Sequence, residues 1–120
     1  MSDSRIRPAP THLLPLKPAD FLLLAVLQDG PLHGYALVQE MAERSGGRIS
    51  IRAGDLYRVL HRLAEQGLVE GDEPEGPEAR RRREYRLTPL GFEVLRAEAR
   101  RLSDLAARVL ARPVGVEDAP

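Results

Sequence analysis

Arg58, His61 and Arg62 follow one another at short spacing in AGDLYRVLHRLAEQG (53–67), and four consecutive arginines stand at 80–83. On a helix, 58, 61 and 62 share a side opposite Leu56, Val59, Leu60 and Leu63, which form an apolar stripe at helical spacing. A guanidinium presents its donors in a planar fork that suits phosphate and the edge of guanine. The chemistry these residues offer is recognition of a polyanion: either they enter a groove of duplex DNA or they form a solvated face. Tyr57 adds a hydroxyl for a phosphate, or else a core ring with a satisfied OH. His33-Gly34-Tyr35 opens a second helix, whose free N–H groups suit a phosphate; Tyr35 fits that role or a gap beneath a hairpin. Arg52 precedes the 53–67 helix, and Arg80, Arg81, Arg82 and Arg83 would meet phosphate or the minor groove from a loop tip.

Net charge is zero, so the distribution carries the argument. Residues 44–62 hold Arg44, Arg48, Arg52, Arg58 and Arg62 against Asp55 alone, and residues 80–86 hold five arginines against Glu84. The intervening 63–79 hold Glu65, Glu70, Asp72, Glu73, Glu75 and Glu78 and no base. Lys17 is the only lysine. With no Cys, no paired carboxylates beside a His and no phosphate-binding Gly loop, nothing points to an enzyme or a cofactor. His12, His33 and His61 match no metal-ligand spacing. The N-terminus lacks a signal-peptide core, and the run Phe21–Leu27 is far short of a membrane span. These features lead to the expectation of a soluble, cytoplasmic protein with no membrane partner.

The elements that must position these residues are readable. Residues 1–17, rich in Pro and polar groups, are expected to be a disordered or loosely docked tail. Helix 1 would span about Ala19–Gln28 after Pro18, apolar on nearly all sides, and stop at Asp29-Gly30-Pro31. Helix 2 would run Gly34–Arg44, with Leu37, Val38 and Met41 on one face. Arg48–Ile51 is expected to be a short strand, and helix 3 to cover Asp55–Gln66, ending at Gly67. Leu68–Gly71 and Glu84–Leu87 would flank a charged tip, and Thr88-Pro89 would start helix 4, running to about Ala111. Phe92, Leu95, Ala99, Leu102, Ala106 and Val109 make a heptad seam along it. A helix of ~22 residues is ~33 Å long, more than so small a domain covers, and its seam suits a second helix. The fold class is mainly α with a small β wing: a winged helix-turn-helix plus a long C-terminal dimerisation helix. The expected organisation is a tail (1–17), a winged-helix DNA-binding domain (18–88), a dimerisation helix (89–111) and a C-terminal tail (112–120).

GPLHGYALVQEM (30–41), RSGG (44–47), GDLYRVLHRLAEQGLVE (54–70) and RRRREYRLTPLG (80–91), in this order and spacing, resemble the PadR family of bacterial transcriptional regulators. With helix 1 the resemblance covers roughly 18–110. It implies a homodimeric winged-helix repressor binding double-stranded DNA at a pseudo-palindromic operator, with its two recognition helices ~34 Å apart. Helix 4, with help from helix 1, would form the dimer, through Phe21, Phe92, Leu95, Ala99, Leu102, Ala106 and Val109. It also leaves open release by a small hydrophobic or aromatic effector, though with Phe21 and Phe92 the only phenylalanines and no Trp, the platform for a flat ligand is thin. Asp55 departs from the family's usual Ser or Thr; a carboxylate repels phosphate, but would cap helix 3 or accept from a cytosine amino group. Arg58 stands where the family commonly has Pro. The DNA-contacting set is thus Tyr35, Arg52, Asp55, Tyr57, Arg58, His61, Arg62 and Arg80 to Arg83. A winged helix that docks a protein instead, using the acidic stretch 70–78, is the alternative.

Overall fold

Among the described residues, four α-helices enclose an apolar centre, closed at one side by a three-stranded antiparallel sheet. A computed structural model describes residues 11–72 and 83–114. Helix α1 spans Pro18–Leu27, with Pro at its first turn, where the missing N–H costs no intrahelical bond. Strand β1 is Leu32–His33, α2 is Gly34–Arg44 and α3 is Ala53–Glu65. Strands β2 (Val69–Gly71) and β3 (Glu84–Leu87) form the root of the wing, and α4 is Pro89–Ala111. Leu23, Leu24, Val26 and Leu27 of α1 are buried against Leu37 and Met41 of α2 and Leu56, Leu60 and Leu63 of α3. Leu68, Val69, Tyr85, Leu87, Val94 and Leu95 complete the core, while Val38 and Val59 pack at its margin.

The sheet order is β1-β3-β2, and β1 was not anticipated. Leu32 and His33 pair with Tyr85 and Glu84, more than fifty residues away in sequence, so no local pattern announces the strand. The strand expected at Arg48–Ile51 does not form. Its backbone is satisfied locally instead: the Ile49 N–H donates to Ser45 Oγ (2.8 Å), and that hydroxyl donates to the Ile49 carbonyl (3.2 Å). Ile49 and Ile51 pack against the core from an irregular segment. The β-branched alternation was a packing signal, not a pairing one.

Helix α3 starts two residues before the expected Asp55, with Arg52 as N-cap and no side-chain cap. Asp55 does not cap the helix; it sits in the first turn, where a carboxylate faces the positive end of the dipole. The helix ends at Gly67, whose φ of +79° favours glycine. The N–H groups of Gly67 and Leu68 return to the carbonyls of Ala64 (2.9 Å) and Leu63 (3.0 Å), closing the helix.

Thr88 joins the wing to α4. Its Oγ1 accepts from the Gly91 N–H (3.0 Å) and donates to the Gly67 carbonyl, while its own N–H donates to the Leu68 carbonyl (3.1 Å). A Cβ on Gly91 would lie 2.1 Å from the Leu68 carbonyl oxygen. The T-x-x-G spacing therefore encodes a contact that a larger residue would force apart. Residues 11–17 lie against the body of the chain. Thr11–Leu13 form a 3-10 turn, Leu13, Leu14 and Leu16 pack on the core, and the Leu16 N–H donates to Glu98 Oε2 (2.9 Å).

Candidate nucleic-acid interface

The start of α3 and the start of α2 face each other across an open, mainly apolar groove of about 740 Å³, lined by Tyr35, Val38, Ala53, Leu56 and Tyr57 among others. Tyr35 stands 73 % exposed at its rim, so it fills no gap; its hydroxyl accepts from Gln39 Nε2 (3.3 Å). Tyr57 is half buried. A Cβ on Gly34 would meet its hydroxyl at 2.8 Å, and its ring lies 6.5 Å from that of Tyr85. The glycine of the HGY motif thus makes room for the tyrosine of the G-x-L-Y motif, which brings the two segments to one place.

Along α3 the expected polar side divides. Arg58 and His61 are exposed; Arg58 Nη2 donates to Asp55 Oδ1, and His61 Nε2 lies 3.4 Å from Glu65 Oε2. Arg62, expected beside them, turns to α1 instead. Its Nη1 and Nη2 donate to Asp20 Oδ2 (3.1 Å) and Oδ1 (3.0 Å), a two-bond fork onto a carboxylate only 7 % exposed. Burying a carboxylate requires such a partner, and Arg62 is near enough to supply it. Arg62 is therefore an inter-helix clamp by geometry.

The basic stretch 44–62 is less positive than its composition suggests. Arg44 bonds Asp29 (2.9 Å) and Glu40 (3.0 Å), and these bonds, Asp29 first, raise the pKa of its guanidinium. With Arg58 and Arg62 also paired, Arg48 and Arg52 stand exposed with no carboxylate partner among the described residues. On β3, Arg86 bonds Asp72 and lies 3.8 Å from Glu70 across the sheet; its pKa is raised, chiefly by the Asp72 bond. The Arg83 stem lies across Gly71. Arg80, Arg81 and Arg82 fall outside the described residues.

The expected dimer seam also divides. Leu95 is 3 % exposed and faces its own core, because α1 covers the first half of α4; a second chain cannot reach it. Phe21 and Ala99 line a groove between α1 and α4, and Phe92 is partly exposed. From Leu102 onward every described residue of α4 is exposed, Ala106 and Val109 among them. Leu105 and Leu110, outside the heptad count, are exposed there too.

Two acids that the sequence reading passed over sit inside. Asp20 precedes buried Leu23 and Leu24 by three and four residues, and Glu98 follows buried Val94 and Leu95 at the same intervals, so helical spacing already turned both inward. Glu98 is 1 % exposed; it accepts from Arg101 Nε (2.6 Å) and Nη2 (2.8 Å) and from the Leu16 N–H. The Arg101 bonds, helped by Leu16 and opposed by burial, hold its carboxyl below the usual carboxylate range.

A 37.1 kDa protein in transposon TN4556 of Streptomyces fradiae is 42 % identical over 91 residues, 76 % of this chain; the chain spans only 25 % of that protein's length. Transcriptional regulator Rv3488 of Mycobacterium tuberculosis is 42 % identical over 82 residues, covering 68 % of this chain and 73 % of the regulator. Bacillus subtilis PadR, solved in complex with operator DNA, superposes with a TM-score of 0.59 at 23 % identity, over 69 % of this chain and 47 % of that one, and shares the fold. The Transcriptional regulator PadR-like family matches residues 23–97. With its winged-helix fold and these matches, the chain belongs to the PadR-like family of transcriptional regulators.

Proposed function

We propose that the chain acts in the cytoplasm as a homodimeric, sequence-specific DNA-binding repressor. The observation that carries this reading is the outer surface of α3 and its surroundings. Arg58, His61 and Arg52 are exposed there, with Tyr35 across the groove, and the start of a helix is the part that reads base edges in helix-turn-helix proteins. The fold neighbour crystallised on operator DNA supports the reading. Self-association is supported by Leu102, Leu105, Val109 and Leu110, apolar side chains on a half-helix that none of the described residues covers. Occupancy of a promoter by the dimer would exclude polymerase. A small hydrophobic or aromatic effector that favours one dimer geometry over another would release it, since differential affinity for two states suffices.

The testing experiment is fluorescence anisotropy with DNA from upstream of the chain's own gene against scrambled duplex, over a salt series, with the oligomeric state read by light scattering. The expected result is a dimer with selective binding that weakens steeply with salt. Weak, equal binding to every duplex, including those from a genomic selection, would favour a protein-docking winged helix.

A further inference from the structure

The exposed beginning of α3 carries an acid and a base that bond each other. Asp55 is the third residue of the helix and Arg58 the sixth, one turn apart on the same side. Arg58 Nη2 donates to Asp55 Oδ1, and the guanidinium still reaches solvent, its side chain being 78 % exposed. Among the described residues nothing bulky shields this turn. Ala53 is small and exposed, and a Cβ on Gly54 would meet no atom within 4 Å, so the turn can approach a groove floor closely. Arg62 is held away by Asp20, which leaves Arg58 as the arginine that α3 presents outward.

A guanidinium has five N–H donors. One bond to Asp55 leaves the others for the O6 and N7 acceptors of guanine, the commonest specific contact in a major groove. Free arginine side chains lose rotamer freedom when they order on a base, and an intrahelical partner removes part of that loss beforehand. The same carboxylate repels phosphate, so it disfavours registers in which this turn rests on the backbone instead of the bases. We infer that Asp55 is a positioning residue for Arg58, and that each operator half-site contains a guanine whose recognition depends on both side chains. The inference rests on the DNA-binding reading above and deepens it.

The test starts from a binding-site selection with the wild-type protein on random duplex DNA. Affinities are then measured on the selected site and on sites carrying each other base at its guanines, for wild type, Asp55→Ala, Arg58→Ala and the double variant, with thermal melts of each. Asp55→Ser replaces Asp55→Ala if the latter melts early. Wild type is expected to prefer one guanine by about 5- to 100-fold. Arg58→Ala removes that preference. Asp55→Ala weakens it several-fold while affinity for random duplex holds or rises, because a charge that repels phosphate is gone. In the Arg58→Ala background, adding Asp55→Ala leaves the guanine preference unchanged, the signature of a residue acting on base choice through its neighbour. Full preference in Asp55→Ala overturns the inference. So does an equal Asp55 effect on guanine preference with and without Arg58, or an equal loss on selected and random DNA. A wild-type protein that dimerises but selects no sequence instead overturns the DNA-binding reading beneath it.

Discussion

Arg58 bonds Asp55 inside its own helix, three residues back and largely in water; Arg62, one turn later, crosses to α1 and forks onto an Asp20 carboxylate 7 % exposed. The two pairs share a helix and a chemistry, and burial separates their consequences. In water an i,i+3 pair contributes about 0.3–0.5 kcal/mol, because solvent screens it and ordering two long side chains offsets the gain. At the α1–α3 contact the carboxylate has lost its water, and removing the guanidinium strands it. The buried pair thus fixes how α3 lies on α1, while the exposed pair shapes what α3 shows to a ligand. Glu98 and Arg101 combine the two cases: intrahelical like the first, with a carboxylate as enclosed as the second.

Arg62→Ala should give the largest effect. It leaves Asp20 buried without its fork, and the expected destabilisation is about 2–4 kcal/mol by chemical denaturation. A loss below about 1 kcal/mol would place Arg62 with Arg58 and erase the contrast. Glu98→Gln should act next, with a signature in pH. The native Glu98 carboxyl binds its proton less readily than in the unfolded chain, so the unfolded state takes up more protons as pH falls. Its stabilisation is fully present above the ordinary glutamate value of about 4.3 and disappears as pH drops through the depressed native value. Melting midpoints of wild type and Glu98→Gln should therefore differ at neutral pH and converge in acid; parallel curves would show that the charge contributes nothing. Arg58→Ala should have the smallest effect on stability, within about 0.5 kcal/mol, although it removes base discrimination. A large loss of stability would make Arg58 a structural residue.

The helices were legible because each carries its own evidence. Leu56, Leu60 and Leu63 repeat at helical spacing, and Thr88-Pro89 marks the start of α4 in two adjacent letters. The misreadings share a cause, which is that the deciding partner lies far along the chain or elsewhere on the surface. Strand β1 exists only because Tyr85 and Glu84 lie beside Leu32 and His33. Arg62 looked like Arg58 because Asp20 is 42 positions away. Leu95 and Val109 read as one seam, since a heptad records apolar spacing but not which neighbour covers it; α1 covers the first and leaves the second bare. At Arg48–Ile51 the competing partner was near, but Ser45 Oγ satisfies the backbone in a way that β-branched spacing does not reveal.

The joint at Thr88 has a mechanical consequence. Through Gly67, Leu68 and Gly91 it fastens the end of α3, the root of the wing and the first turn of α4 at one point. The 23 residues of α4 extend about 34 Å from that joint, but α1 holds the first half in the core through Val94, Leu95 and Glu98, so the free arm is Leu102–Ala111, about 15 Å long. A turn of about 5° where the core lets go sweeps Ala111 through about 1.3 Å, given the same helical rise. The far half of α4 is therefore the compliant part, and displacement applied near Ala111 reaches the wing only through a gripped stem, as a small change of angle.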